Sequence, residues 1–67
     1  MFEIIYSTYS GVKKTVTAIE EDYILTMFNL LLNAEDLASA DLIDGFTGKV
    51  LLSWHNGKFT YIHGLSA

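Results

Sequence analysis

Ser53 and His55 are the first residues to weigh for chemistry, because a hydroxyl and an imidazole two positions apart on a strand share a face. They would serve as nucleophile and base. Neighbouring positions along one side of a strand are too far apart for a ready hydrogen bond between them, however, and no loop offers an oxyanion site. Ser53 opposite Thr60 is better read as a solvent-side cross-strand pair. His55 and His63 are expected on opposite faces of one ribbon, so a metal would need Asp41 or Asp44 brought in by folding or by a second subunit. Asp41 and Asp44 are three positions apart. A straight strand sends them to opposite sides, which does not suit a general acid/base pair. Gly11, Gly45, Gly48, Gly57 and Gly64 sit singly and form no phosphate-cradling loop. No catalytic, cofactor-binding or metal-binding residues are expected, no cofactor is called for, and 67 residues leave little room for an enclosed pocket. The chain reads as a non-enzyme.

The elements that must position these residues are read most firmly around Asn56-Gly57. Asn-Gly between two alternating runs predicts a two-residue hairpin, since both residues accept the positive φ of a type I′ turn. The register then places His55 opposite Lys58, Trp54 opposite Phe59, Leu52 opposite Tyr61 and Val50 opposite His63. Val50, Leu52, Trp54, Phe59 and Tyr61 form one apolar face, which needs a cover. A first hairpin joins 2–8 to 12–19 through Ser10-Gly11, with Phe2, Ile4 and Tyr6 on one face and Ile5 and Tyr9 on the other.

A helix follows. Thr17 and Glu20 have capping-box spacing, and Glu20, Glu21 and Asp22 complement the helix dipole. Tyr23, Ile24, Met27, Phe28, Leu30 and Leu31 recur at spacings of three and four. Leu25 and Leu32 widen this stripe beyond what one sheet covers, and they are candidates for self-association. Asn33 is the expected stop, and 35–39 reads as a loop or an extra helical turn. A third strand over 40–44 leads through Asp44-Gly45-Phe46-Thr47-Gly48 into strands over 49–54 and 58–63. The expected fold is α+β: one domain with an antiparallel sheet of about five strands in the order β-β-α-β-β-β, and one helix packed on a face.

Seven acids and no Lys or Arg lie between Glu20 and Asp44, whereas Lys13, Lys14, Lys49 and Lys58 stand outside that block against Glu3 alone. The net charge is −4 and no Cys is present. The simplest account of the acidic block is solubility for a chain that is 51% hydrophobic, with a mean hydropathy of +0.31. The functional account is a negative surface that meets a basic protein or imitates nucleic-acid phosphates, with Glu35, Asp36, Asp41 and Asp44 as the candidate contact residues. A chain this short buries only about 60% of its unfolded surface, which favours a homodimer or higher oligomer. No apolar stretch reaches the roughly 20 residues of a membrane span, and the start Met1-Phe2-Glu3 lacks the positive region of a signal peptide. A cytoplasmic location is expected.

The resulting expectation is a small acidic binding protein, a homodimer that occupies a surface of another macromolecule. In size and charge it is similar to accessory proteins of phages and mobile elements, such as inhibitors of host defence, without a shared motif. One alternative is a structural self-assembly module. Another is a single-strand nucleic-acid binder using Lys13, Lys14, Trp54 and Lys58, disfavoured by the negative charge and the absence of Arg.

Overall fold

The computed structural model describes residues 1–61. Its elements are β1 (Phe2–Thr8), β2 (Lys13–Ala18), α1 (Glu21–Leu32), β3 (Leu37–Asp44), β4 (Val50–His55) and β5 (Lys58–Tyr61). The strands form one antiparallel sheet in the order β2-β1-β3-β4-β5, with α1 packed on one face. The α+β class and the element order read from the sequence are those observed. β1 pairs antiparallel with both β2 and β3, so the chain leaving β2 crosses over β1 through the helix before entering β3.

Alternation builds the core. Val16, Ile4, Leu42 and Leu52 are successive cross-strand partners, forming an apolar row over four strands. Ile24 and Phe28, four residues apart on α1, close over it, and Ile4, Ile24 and Leu42 are completely buried. The β4–β5 register is the expected one at His55/Lys58, Trp54/Phe59, Ser53/Thr60 and Leu52/Tyr61. Asn56 (φ 50°) and Gly57 (φ 86°) both have the positive φ that the type I′ turn requires. The expected Val50/His63 pair lies outside the described residues.

Two β-bulges depart from simple alternation. Between β1 and β3 the register skips Ala38, which turns Leu37 onto the helix-covered face, where it is buried. Between β3 and β4 it skips Leu51, so Val50 pairs with Ile43 and belongs to the opposite face from Leu52 and Trp54. The expected placement of Val50 beside Leu52 is corrected accordingly. β3 also begins three residues earlier than expected, because pairing with β1 continues through Thr8/Leu37 and the Tyr9 amide donates to the Asp36 carbonyl. The capping box does not form. Thr17 remains in β2, and the N-cap residue Glu20 makes no side-chain capping bond.

One helix cannot roof this sheet. An α-helix is about 10–12 Å across, whereas five strands span about 19 Å between the outer axes. The two-residue link after β2 starts α1 on that side of the sheet, so the helix backbone lies over β1, β2 and β3 and approaches β5 through the Phe28 side chain. No helix among the described residues is long and apolar enough to cross a membrane.

A Cβ at Gly57 would meet nothing within 4 Å, so Gly57→Ala tests turn conformation alone. It should lower the unfolding free energy by about 1–2 kcal/mol. Leu42→Ala, which empties the centre of the apolar row, should cost more, about 3 kcal/mol. Urea titrations of both variants against wild type measure the difference.

Candidate functional site

The open face of the sheet carries the residues weighed above for chemistry. One cross-strand row reads Thr15, Ile5, Asp41, Ser53, Thr60, and the next reads Lys13, Ser7, Ser39, His55, Lys58. Asp41 is the hub. The Ser53 hydroxyl donates to Asp41 Oδ1, and His55 Nε2 lies 2.9 Å from the same oxygen. Ser7 and Ser39 share a hydroxyl hydrogen bond of 2.7 Å.

Ser53 and His55 share a face, as the alternation requires, but both turn to Asp41 rather than to each other. The serine proton is therefore held by a carboxylate, an arrangement that differs from a nucleophile aligned on an imidazole base. The chemistry this cluster supports is a hydrogen-bonded tie between β3 and β4 on a solvent-facing surface. Sequence reading missed Asp41 as the partner of Ser53 because their alignment depends on the bulge at Leu51. Among the described residues, no group of three or more His, Asp or Glu side chains gathers to hold a metal ion.

The four candidate contact acids are spread along the molecule. Asp36 lies beside the β1–β2 turn, where its Oδ2 accepts from the Ser10 hydroxyl at 2.7 Å. Glu35 precedes it and is exposed. Asp41 lies mid-strand on the open face. Asp44 lies at the far end of β3, about 25 Å from Asp36 at 3.3 Å per residue. There its Oδ1 accepts from the Phe46 amide at 2.8 Å and the Thr47 amide at 3.4 Å. Three of the four carboxylates thus satisfy local donors, and the set does not converge on one patch.

The residues weighed for single-strand binding are also divided. Lys13 and Lys58 lie on the open face, while Trp54 lies on the helix-covered face; Lys14, opposite Tyr6, shares that second face.

Incomplete roofing leaves an apolar shelf. Leu25, Phe28 and Leu32 share one flank of α1 at helical spacing, and the Phe28 ring meets Phe59 edge-on with centroids 6.2 Å apart. That contact turns the flank toward β4–β5. Leu25, Leu32 and Trp54 are only partly buried, and Phe59 remains 51% exposed. Glu21 lies four residues before Leu25 and Glu35 three after Leu32, so acids bracket the stripe. Among the described residues the only contact at salt-bridge distance is His55 Nε2 to Asp41 Oδ1, so neither Glu21 nor Glu35 has a cationic partner there.

No family model, curated protein or solved structure matches this chain.

The Asp44 carboxyl is held below its ordinary value of 3.8. The Phe46 amide is the main cause, opposed by desolvation and assisted by the Thr47 amide and the N-terminal ammonium group. Its contribution to stability should be complete above pH 3.8 and lost as pH falls through the depressed folded value. Asp44→Asn retains an acceptor for the turn but cannot titrate. The stability difference between wild type and Asp44→Asn, followed by thermal unfolding, should be constant at neutral pH and shrink on acidification below that point.

Proposed function

We propose that this chain is a small, acidic, non-enzymatic binding protein of the cytoplasm that acts by occupying a surface of another protein. The observation that supports this reading is the shelf formed by Leu25, Leu32, Trp54 and Phe59, floored by the buried Phe28 ring. It is an aromatic-containing apolar strip left partly open among the described residues because the α1 backbone lies over β1, β2 and β3. Aromatic groups ringed by charge have the composition of an interface centre and its rim. Glu21 and Glu35 give that rim a negative sign, so the complementary partner presents an apolar ridge flanked by Lys or Arg. The bonds that Asp36, Asp41 and Asp44 make within the chain leave them a smaller part in this contact than Glu35.

Affinity capture from the native cell at low ionic strength tests the proposal. The baits are wild type, Phe59→Glu and a Glu21→Lys/Glu35→Lys double variant. Wild type should retain a partner that Phe59→Glu loses and the charge-reversed variant holds more weakly. With that partner purified, Phe59→Glu should weaken binding at least about tenfold, about 1.4 kcal/mol. The single tryptophan, Trp54, should report wild-type binding as a blue-shifted emission. Identical capture by all three baits would remove the shelf as the docking surface.

A further inference from the structure

A second apolar surface lies at the opposite flank of the helix, where β1 begins and β2 and β3 end. Phe2 is the cross-strand partner of both Ala18 and Asp44, so the chain leaving β2 and the turn after β3 emerge on either side of Met1. The Gly45 amide donates to the Met1 carbonyl at 2.9 Å, and the Met1 side chain lies against Gly45. On the other side, Met1, Thr17, Ala18, Ile19, Glu20 and Tyr23 line an open cavity of about 460 Å³. Four large apolar side chains gather here: Met1, Tyr23, Ile19 and Phe46, the last two each 83% exposed.

Phe46 does not fill the neighbouring cavity of its own chain. Its turn is braced by the Asp44 carboxylate, which accepts from the Phe46 amide, and by the Gly48 amide, which donates to the Asp44 carbonyl at 2.8 Å. The turn therefore presents the ring to solvent from a fixed backbone. Charge around the two features is complementary. Lys49, exposed and without an ion pair among the described residues, stands three residues from Phe46. Glu20 lines the cavity, and Glu21 and Asp22 follow it at the helix start.

We propose that this end of the sheet is a self-association surface, on which Phe46 of one copy enters the Met1–Ile19–Tyr23 cavity of a second copy and Lys49 faces the partner's acidic helix start. Plug and socket lie at the same end of the chain, on either side of Met1, and in the proposed assembly a two-fold axis makes the exchange reciprocal. The assembly closes as a dimer instead of extending as a filament. Burying the ring and the exposed Ile19 together removes the largest unpartnered apolar side chains at this end from water. Its apolar residues are distinct from those of the Trp54–Phe59 shelf, and the two surfaces share the acidic residue Glu21 at the helix start.

Sedimentation velocity of the full chain over a range of concentrations tests this. Wild type should show a reversible monomer–dimer equilibrium. Phe46→Glu and Ile19→Glu should each weaken dimerisation at least about tenfold, about 1.4 kcal/mol. Both sites are so exposed that far-ultraviolet circular dichroism should stay at the wild-type spectrum. Lys49→Glu should weaken the dimer, and combining it with Glu20→Lys should restore it. Phe59→Glu, on the other surface, should leave dimerisation unchanged. The proposal is overturned if wild type remains monomeric at all concentrations, if it forms open-ended polymers, if the Phe46 and Ile19 variants dimerise like wild type, or if Phe59→Glu alone abolishes assembly. A small molecule filling the cavity in a monomeric wild type would overturn it as well.

Discussion

The apolar row formed by Val16, Ile4, Leu42 and Leu52, closed from above by Ile24 and Phe28, is the interaction on which the rest of this structure depends. A completely buried Ile or Leu contributes about 1.5–3 kcal/mol relative to an exposed one. A chain without Cys has no disulfide to supplement that core. The row also fixes orientation. With one parity of each strand committed to the helix, the other parity must face outward, and it carries Ser7, Thr15, Ser39, Asp41, Ser53, His55 and Thr60.

The surfaces follow from a mismatch of width. Among the described residues, a single helix over five strands leaves part of the apolar face incompletely covered, and chain connectivity decides which part. Because α1 follows β2 after a short link, the less covered portion is at Trp54 on β4 and Phe59 on β5. At the other flank the helix start leaves a cavity beside Met1 while the braced Asp44 turn holds Phe46 away from it. The two surfaces use different apolar residues on opposite flanks of α1 and meet at the acidic helix start.

The acidic composition has two structural consequences. Asp36, Asp41 and Asp44 act as local acceptors that tie a turn, a strand pair and a loop to the sheet. Glu20, Glu21, Asp22 and Glu35 enter no ion pair among the described residues and set the sign of the field around α1. An acidic tract read along the chain merges these groups, although their work in the fold differs.

Local signals were legible in the sequence wherever a few consecutive residues carry the whole constraint. Asn56-Gly57 determined the β4–β5 register because a two-residue type I′ turn admits one alignment, and the three-and-four spacing from Tyr23 to Leu32 determined the helix. The acidic run at Glu20–Asp22 was legible as a helix start, yet the capping box does not form, since Thr17 is bound into β2 before it can turn back. What only the tertiary structure decided is whatever depends on strands meeting across long separations. The bulges at Ala38 and Leu51 turn Leu37 inward and Val50 outward, and the second aligns Asp41 with Ser53 and His55. Those shifts arise from packing β3 between β1 and β4, and no local spacing of residues in β3 encodes them.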